Sequence, residues 1–386
     1  MVMLGREYEI DQGVTELDES ALRAIHLAPY LPLLEAGALC VMASFSSWGG
    51  FKMHANHYLL SEVLKGELGF QGFVVSDWQA VDQVAEEYYD AVVAAINAGV
   101  DMNMVPFDYK QFIATLTQAV EQGDVSVARL DDAVTRILRA KLALGLFERP
   151  FPEDDSTAKV GAPEHRALAR QAVSESLVLL KNEGGLLPLD ATAESILVGG
   201  AAAQSLALQS GGWTIEWQGK DGDITPGTSF LHALQGAVSP QTLVAYNRFG
   251  RFDALAEGDA AGRPAEIGIV VIAEQPYAEG MGDQADLTLS DEDRELIARV
   301  AAQSERTLLI LFSGRPLIIT EELELVDACV AAWLPGSEGQ GITDVLFGDK
   351  PFSGKLSFNW PRSMAQIPNG QGGAPLFPIG YGLTTS

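Results

Sequence analysis

Apolar and polar positions alternate in a short-run, long-run rhythm along the chain. In the first third, three short, mostly apolar runs containing Val stand at Leu39–Phe45 (LCVMASF), Gly72–Val75 (GFVV) and Val100–Val105 (VDMNMV). Such runs predict parallel strands buried on both faces. Helical stretches separate them at Ala21–Ala36, His57–Glu67 and Val84–Asn97. The strand starts recur every ~30 residues, the size of a βα unit. Two more helices are predicted at Lys110–Gln122 and Val127–Leu144. The second has apolar residues at i, i+3, i+4 and i+7, and Gly145 is placed to end it.

The texture changes at Glu148–Pro163 (ERPFPEDDSTAKVGAP), which has prolines at both ends and no apolar periodicity, and reads as a linker. Beyond it a helix is predicted over Glu164–Leu180, leading to a strand at Ile196–Gly199. Further strands are predicted at Thr242–Tyr246, Ile267–Ile272, Leu308–Phe312 and Ala328–Trp333, with helices at Ser229–Val238, Asp291–Ser304 and Gly341–Phe347. Ser290-x-x-Asp293 has the form of a capping box. The alternation predicts an α/β sandwich of the doubly wound type. The expected organisation is therefore a first domain over 1–147, a linker over 148–163 and a sandwich over 164–386. Parallel βα units suggest a barrel, but a (β/α)8 barrel needs eight strands and ~250 residues. Residues 1–147 supply three strands.

Composition narrows the partners. The 386 residues include 25 Lys+Arg against 52 Asp+Glu, a formal charge of −27. Phosphate binding needs clustered basic residues, so nucleic acid and anionic membranes are not expected partners. The longest apolar stretches, such as Leu308–Phe312, fall far short of a ~20-residue membrane span. The opening MVMLGREYEI has no apolar h-region and does not read as a secretory signal. Cys40 and Cys329 lie outside any CxxC or His-rich context, so two buried free thiols are expected rather than a zinc site.

Several places could carry chemistry. In Gly72–Trp78 (GFVVSDW), Asp77 and Trp78 sit just past the end of a buried strand, where parallel α/β folds gather catalytic groups. The plainer reading makes Asp77 a helix cap and Trp78 a core residue. Glu274–Asp283 (EQPYAEGMGD) follows an apolar strand and holds Glu274, Glu279 and Asp283 beside Gly280 and Gly282. By itself it also reads as a solvated acidic loop. Gly211–Gly219 (GGWTIEWQG) sets Trp213 and Trp217 four apart in a polar, Gly-rich stretch, suited to stacking on sugar rings as well as to a core. His54 and His57 in KMHANH lack a third ligand at metal spacing and read as helix-start packing. No G-x-S-x-G elbow is present, and VGGAAAQS has neither GxGxxG nor Walker spacing.

Together these segments resemble family 3 glycoside hydrolases, and in particular the β-glucosidase/β-glucan exohydrolase branch. The resemblance runs from about Asp11 to Leu383. It rests on DQGVTELDESALRAIHLAPYLPLLEAGALCVMASFSSWGG, KMHANHYLLSEVLKGELGFQGFVVSDW, AGVDMNMVP, RILRAKLALGLFERPF, ESLVLLKNEGGLLPL, GGWTIEWQG, PYAEGMGD, FSGRP and FPIGYGL. It implies an α/β fold in which the C-terminal portion of a (β/α)8 TIM-like barrel is followed by a six-stranded α/β sandwich, with the active site between them. The three first-domain strands would be the last three of the barrel. It assigns Asp77 as nucleophile and Glu279 as general acid/base. It assigns Trp78 and Trp217, with Trp213 near them, to clamping the sugar.

The implied activity is an exo-acting, retaining β-glucosidase that releases terminal glucosyl residues from a β-glucoside or β-glucan, with no cofactor and no metal. Gln79 and Gln83 stand where plant exohydrolases carry a charged pair, which points to a bacterial type. The family's earlier strands bring an Asp, an Arg and a Lys-His pair to the −1 sugar, and no motif here matches them. The isolated chain is therefore expected to show little or no turnover. The alternatives are a non-catalytic relic or a carbohydrate-binding sandwich; the N-acetylglucosaminidase branch fits less well, because it often lacks the second domain. A periplasmic or secreted location follows from the resemblance alone, and oligomeric state is left open.

Overall fold

A computed structural model describes residues 12–152, 156–252, 263–367 and 372–385. Asp11, where the first landmark begins, and 153–155 of the linker lie outside the described residues. The chain divides into two units, Met1–Ser156 and Thr157–Ser386.

In the first unit, strand β1 (Val14–Thr15) precedes helix α1 (Glu19–Leu22), whose N-cap Asp18 accepts a 2.8 Å bond from the Ala21 N–H. The helix expected over Ala21–Ala36 is broken into pieces. A wider turn, Arg23–Leu27, intervenes before α2 (Tyr30–Glu35). The break falls at Pro29, whose ring removes a helical donor and crowds the preceding turn. Next come β2 (Cys40–Met42), β3 (Ser47–Trp48), β4 (Phe51–Lys52), a helical segment over Tyr58–Glu67, and β5 (Phe73–Val75). Helices α3 (Tyr88–Ala98), α4 (Tyr109–Gln122) and α5 (Val127–Ala143) complete the unit.

β2 and β5 pair in parallel, while β1, β3 and β4 form a separate small sheet. The third expected strand, Val100–Val105, is reduced to one parallel bridge between Val75 and Met102. The reason is Asp101. Its buried carboxylate turns inward, accepts the Val74 N–H at 2.8 Å and pairs with Lys65 and Arg129. A side chain thus takes a ladder donor that a backbone carbonyl would otherwise hold. Val74, Ala91, Val92, Ala95, Val100 and Ala119, all fully buried, centre the core of this unit. Cys40 departs from expectation and is exposed. β2 has β5 on one side only among the described residues, so its alternating side chains are left uncovered.

The second unit starts with α6 (Pro163–Ser176) and β6 (Val178–Asn182). The helix expected to reach Leu180 stops at Ser176. Leu177–Leu180 then alternate between two cores: Leu177 and Leu179 face one, Val178 and Leu180 the other. A run buried on both faces is as good a strand as a helix end, and only tertiary packing decides between them. There follow β7 (Ser195–Gly199), α7 (Leu206–Ser210), α8 (Phe230–Ala237), β8 (Leu243–Asn247), β9 (Ala265–Ala273), α9 (Asp291–Ala301), β10 (Ser304–Phe312), β11 (Ala328–Trp333) and α10 (Gln340–Leu346). The expected cap of α9 is present, with Ser290 Oγ accepting the Asp293 N–H at 3.2 Å. Of its expected span, Ala302 and Gln303 instead form a turn and Ser304 opens β10.

These strands form one six-stranded sheet in the order β6-β11-β10-β9-β7-β8, parallel except for β6. Cys329, on β11, is wholly buried, as expected, and burial pushes its thiol up to about 12. No helix among the described residues is long and apolar enough to cross a membrane.

Candidate active site

Asp77 stands directly after β5 and Ser76. The Ser76 N–H donates to the Met102 carbonyl at 2.8 Å, and Ser76 Oγ accepts the Met104 N–H at 2.7 Å. These bonds tie the strand end to the 102–104 segment. The Asp77 N–H donates to His54 Nε2 at 2.9 Å. One carboxylate oxygen, Oδ1, accepts the Trp78 N–H at 2.7 Å. The other accepts no hydrogen bond from any described residue. Gln79, at φ 54°, then turns the chain away in the left-handed region, its N–H held by Met104 O at 3.0 Å.

Trp78 is 54% exposed and meets Phe107 edge-on at 6.2 Å between centroids. The plainer reading, a core tryptophan, does not hold for it. His54 is 1% exposed. Burial, and next the charge of Lys52, push its imidazole down to about 4. His57 points elsewhere, 3.5 Å from Glu62, so the pair shares no ligand geometry. Among the described residues no three His, Cys, Asp or Glu side chains gather as a metal site.

In the second unit two loops are locked together. The Gln218 amide and the Ala278 backbone exchange two bonds, Nε2 to Ala278 O at 3.1 Å and Ala278 N–H to Oε1 at 3.0 Å. The approach is so close that a Cβ on Gly212 would lie 2.0 Å from the Tyr277 carbonyl oxygen. Only glycine fits there. This contact sets Trp213 and Trp217 beside the turn that begins at Glu279. Their rings are 6.5 Å apart and both are more than half exposed. The Trp213 N–H donates to Trp217 O at 2.9 Å. Trp213, Ile215 and Glu279 all have positive φ, at 57°, 66° and 52°. Backbone held this way, in exposed side chains, is strain of the kind found at functional sites.

The acidic loop is not simply solvated. Glu274 is engaged: Oε1 accepts Arg315 Nε and Nη2 at 2.9 and 2.7 Å, and Oε2 accepts the Tyr277 hydroxyl at 3.0 Å. Arg315 lies over the Tyr277 ring at 4.5 Å. Burial, then the Glu274 charge, push the Tyr277 phenol up to about 12. Glu274 therefore works as a brace, whereas Glu279 is exposed and its carboxyl group makes no hydrogen bond to a described residue. Sequence reasoning missed this brace, though Arg315 lies in the quoted FSGRP, and it missed the His54 contact.

The arrangement offers a carboxylate on a rigid strand end in one unit. In the other it offers a carboxyl on a braced turn beside two indoles. The glycosyl hydrolase family 3 C-terminal domain matches residues 177–385, and the family's N-terminal domain matches residues 6–140. The chain belongs to glycosyl hydrolase family 3.

A lysosomal beta glucosidase of Dictyostelium discoideum is 32% identical, over 97% of this chain and 49% of that protein. A periplasmic beta-glucosidase of Salmonella typhimurium is 31% identical, over 98% of this chain and 56% of that protein. The solved exo-1,3/1,4-beta-glucanase of a Pseudoalteromonas species is 39% identical, with a TM-score of 0.87 over 98% of this chain and 49% of that one. The chain spans about half the length of these relatives.

Proposed function

We propose that this chain carries the chemistry of an exo-acting, retaining β-glucosidase or β-glucan exohydrolase. Asp77 Oδ2 attacks the anomeric carbon while Glu279 protonates the departing glycosidic oxygen. Water, deprotonated by Glu279, then displaces Asp77 and releases a sugar of retained configuration. Such a reaction asks for carboxyl groups about 5–5.5 Å apart. Trp78, Trp213 and Trp217 supply flat apolar faces for the glucosyl ring.

The extents 1–147 and 164–386 are proposed as the nucleophile and acid/base domains. The substrate class, terminal β-glucosides and β-1,3 or β-1,4 glucans, follows the names of the relatives, as does a periplasmic or secreted location. The observation that carries the reading is the Asp77 carboxylate, held through one oxygen and open at the other.

Covalent trapping tests it without needing fast turnover. A 2-deoxy-2-fluoro-β-glucoside with an activated leaving group is incubated with the chain, and the digest is read by mass spectrometry. One fluoroglucosyl adduct on the Asp77 peptide is expected, lost in Asp77→Asn. No adduct, or one on another carboxylate, overturns the assignment. Binding of glucan without any adduct would favour the non-catalytic, sugar-binding reading.

A further inference from the structure

We propose that His54 is a positioning residue for the nucleophile: as a neutral imidazole with a bare Nε2, it fixes the backbone of Asp77. The proposal rests on the reading of Asp77 given above. Three observations carry it. First, the Asp77 N–H donates to His54 Nε2 at 2.9 Å, so the ring must be neutral with its proton on Nδ1. Second, the imidazole is buried at 1% exposure, 6.0 Å from the Phe45 ring, and cannot swing into solvent. Third, the neighbouring Lys52 ammonium disfavours a second positive charge there. Its Nζ is itself held by the Gln12 and Phe45 carbonyls at 3.2 and 3.3 Å.

The bond matters because of what the next residue does. The Asp77 carboxylate is oriented by the Trp78 N–H, one peptide further on. If the Asp77 amide is released, the Ser76–Asp77 peptide can rotate, and the Asp77 Cα that carries the carboxylate turns with it. The Asp77–Trp78 peptide is held by its carbonyl, which accepts the Ser76 hydroxyl at 2.9 Å and the Ala80 N–H at 3.3 Å. His54 thus completes a two-sided grip on one backbone position. It touches neither substrate nor reacting atom.

The test compares His54→Gln, whose amide oxygen can still accept, with His54→Met, which fills the space but accepts poorly. Amide hydrogen exchange at Asp77 is read first. Loss of protection at Asp77 in the Met variant, with exchange across β5 unchanged and with recovery in the Gln variant, is expected. Side-chain NMR of His54 in the unmutated chain should show an unprotonated Nε2. The rate of fluoroglucosyl trapping on Asp77 is read next. A misplaced reacting group costs on the order of 10²-fold, and that loss is expected in the maximal trapping rate of the Met variant, with half-saturation unchanged and the Gln variant largely restored.

Unchanged Asp77 exchange in His54→Met, or an Nε2-protonated ring, overturns the proposal. So does full-rate trapping by the Met variant. If the unmutated chain traps no sugar, the functional reading fails, and the exchange and NMR results alone decide whether His54 fixes the Asp77 backbone.

Discussion

Asp77 and Glu279 are presented in opposite ways. Asp77 follows a strand whose last two residues are buried; its N–H is gripped by His54 and its carbonyl by the Ser76 hydroxyl, while the 102–104 segment holds Ser76 and Gln79 on either side. Glu279 sits exposed on a turn at positive φ, held indirectly by the Gln218–Ala278 exchange and the Glu274–Arg315 pair. On the roles proposed above, a nucleophile must lie in line with one atom, and a fixed strand end supplies that. An acid/base must reach two oxygens in turn, the departing one and then water, and a braced but solvated turn suits that task. The supporting scaffolds differ in the reverse sense. The six-stranded sheet beneath the turn is buried on both faces, whereas the β2–β5 pair beneath Asp77 leaves β2 residues exposed. Rigidity at Asp77 therefore comes from side-chain bonds more than from the sheet.

Breaking those bonds should show the difference most sharply at Asp101. Its wholly buried carboxylate faces Lys65 and Arg129, whose side chains are 8% and 14% exposed. In Asp101→Asn the amide can still accept the Val74 N–H, but buried Lys65 loses its carboxylate partner and Arg129 keeps only Asp132. Removing one partner of a buried pair costs about 3–5 kcal/mol. Hydrogen exchange should register this loss in β5, with β10 amides keeping their protection. Equal loss in β10 would mean that the two scaffolds are not separately stabilised.

Acid should separate the regions next. Unfolded histidine titrates near 6.5, while buried His54 is held down to about 4. The unfolded chain takes up this proton first, so the stability His54 provides is complete above pH 6.5 and is lost as pH falls toward 4. The loss amounts to about 3 kcal/mol. Urea denaturation followed at β5 from pH 7 to 4 should show it, and His54→Gln should remove it. An unchanged slope in His54→Gln would place the acid sensitivity elsewhere.

How much of this was legible in the sequence depended on whether a residue's role is local. The runs IVVI and LLILF on β9 and β10 announced the buried sheet, and GFVVSDW announced the Asp77 strand end, because apolar burial leaves a periodic mark. β6 was hidden because Leu177–Leu180 continue the apolar content of α6, and only its pairing with β11 makes it a strand. The Val100–Val105 strand was over-read because Asp101 spends its carboxylate on a neighbouring N–H, a tertiary event. His54 and Arg315 act on residues 23 and 41 positions away. Spacing within a motif carries no sign of that.

The smallest test concerns the strained loop itself. Ile215 is β-branched, 73% exposed and held at φ 66°, between the bridged residues Thr214 and Glu216. A left-handed L-residue costs roughly 1–2 kcal/mol, more for a branched one. Ile215→Gly removes that cost and gives up little burial, while the unfolded chain gains up to about 1 kcal/mol of freedom. A net gain of under about 1 kcal/mol is expected, read as a slightly raised melting temperature. The same variant should bind a glucan oligosaccharide more weakly, because the conformation that sets Trp213 and Trp217 apart is no longer enforced. A gain in stability with unchanged binding would leave the strain without a role in presenting the indoles. A loss of stability would show that the exposed isoleucine is held by packing rather than strained by the loop.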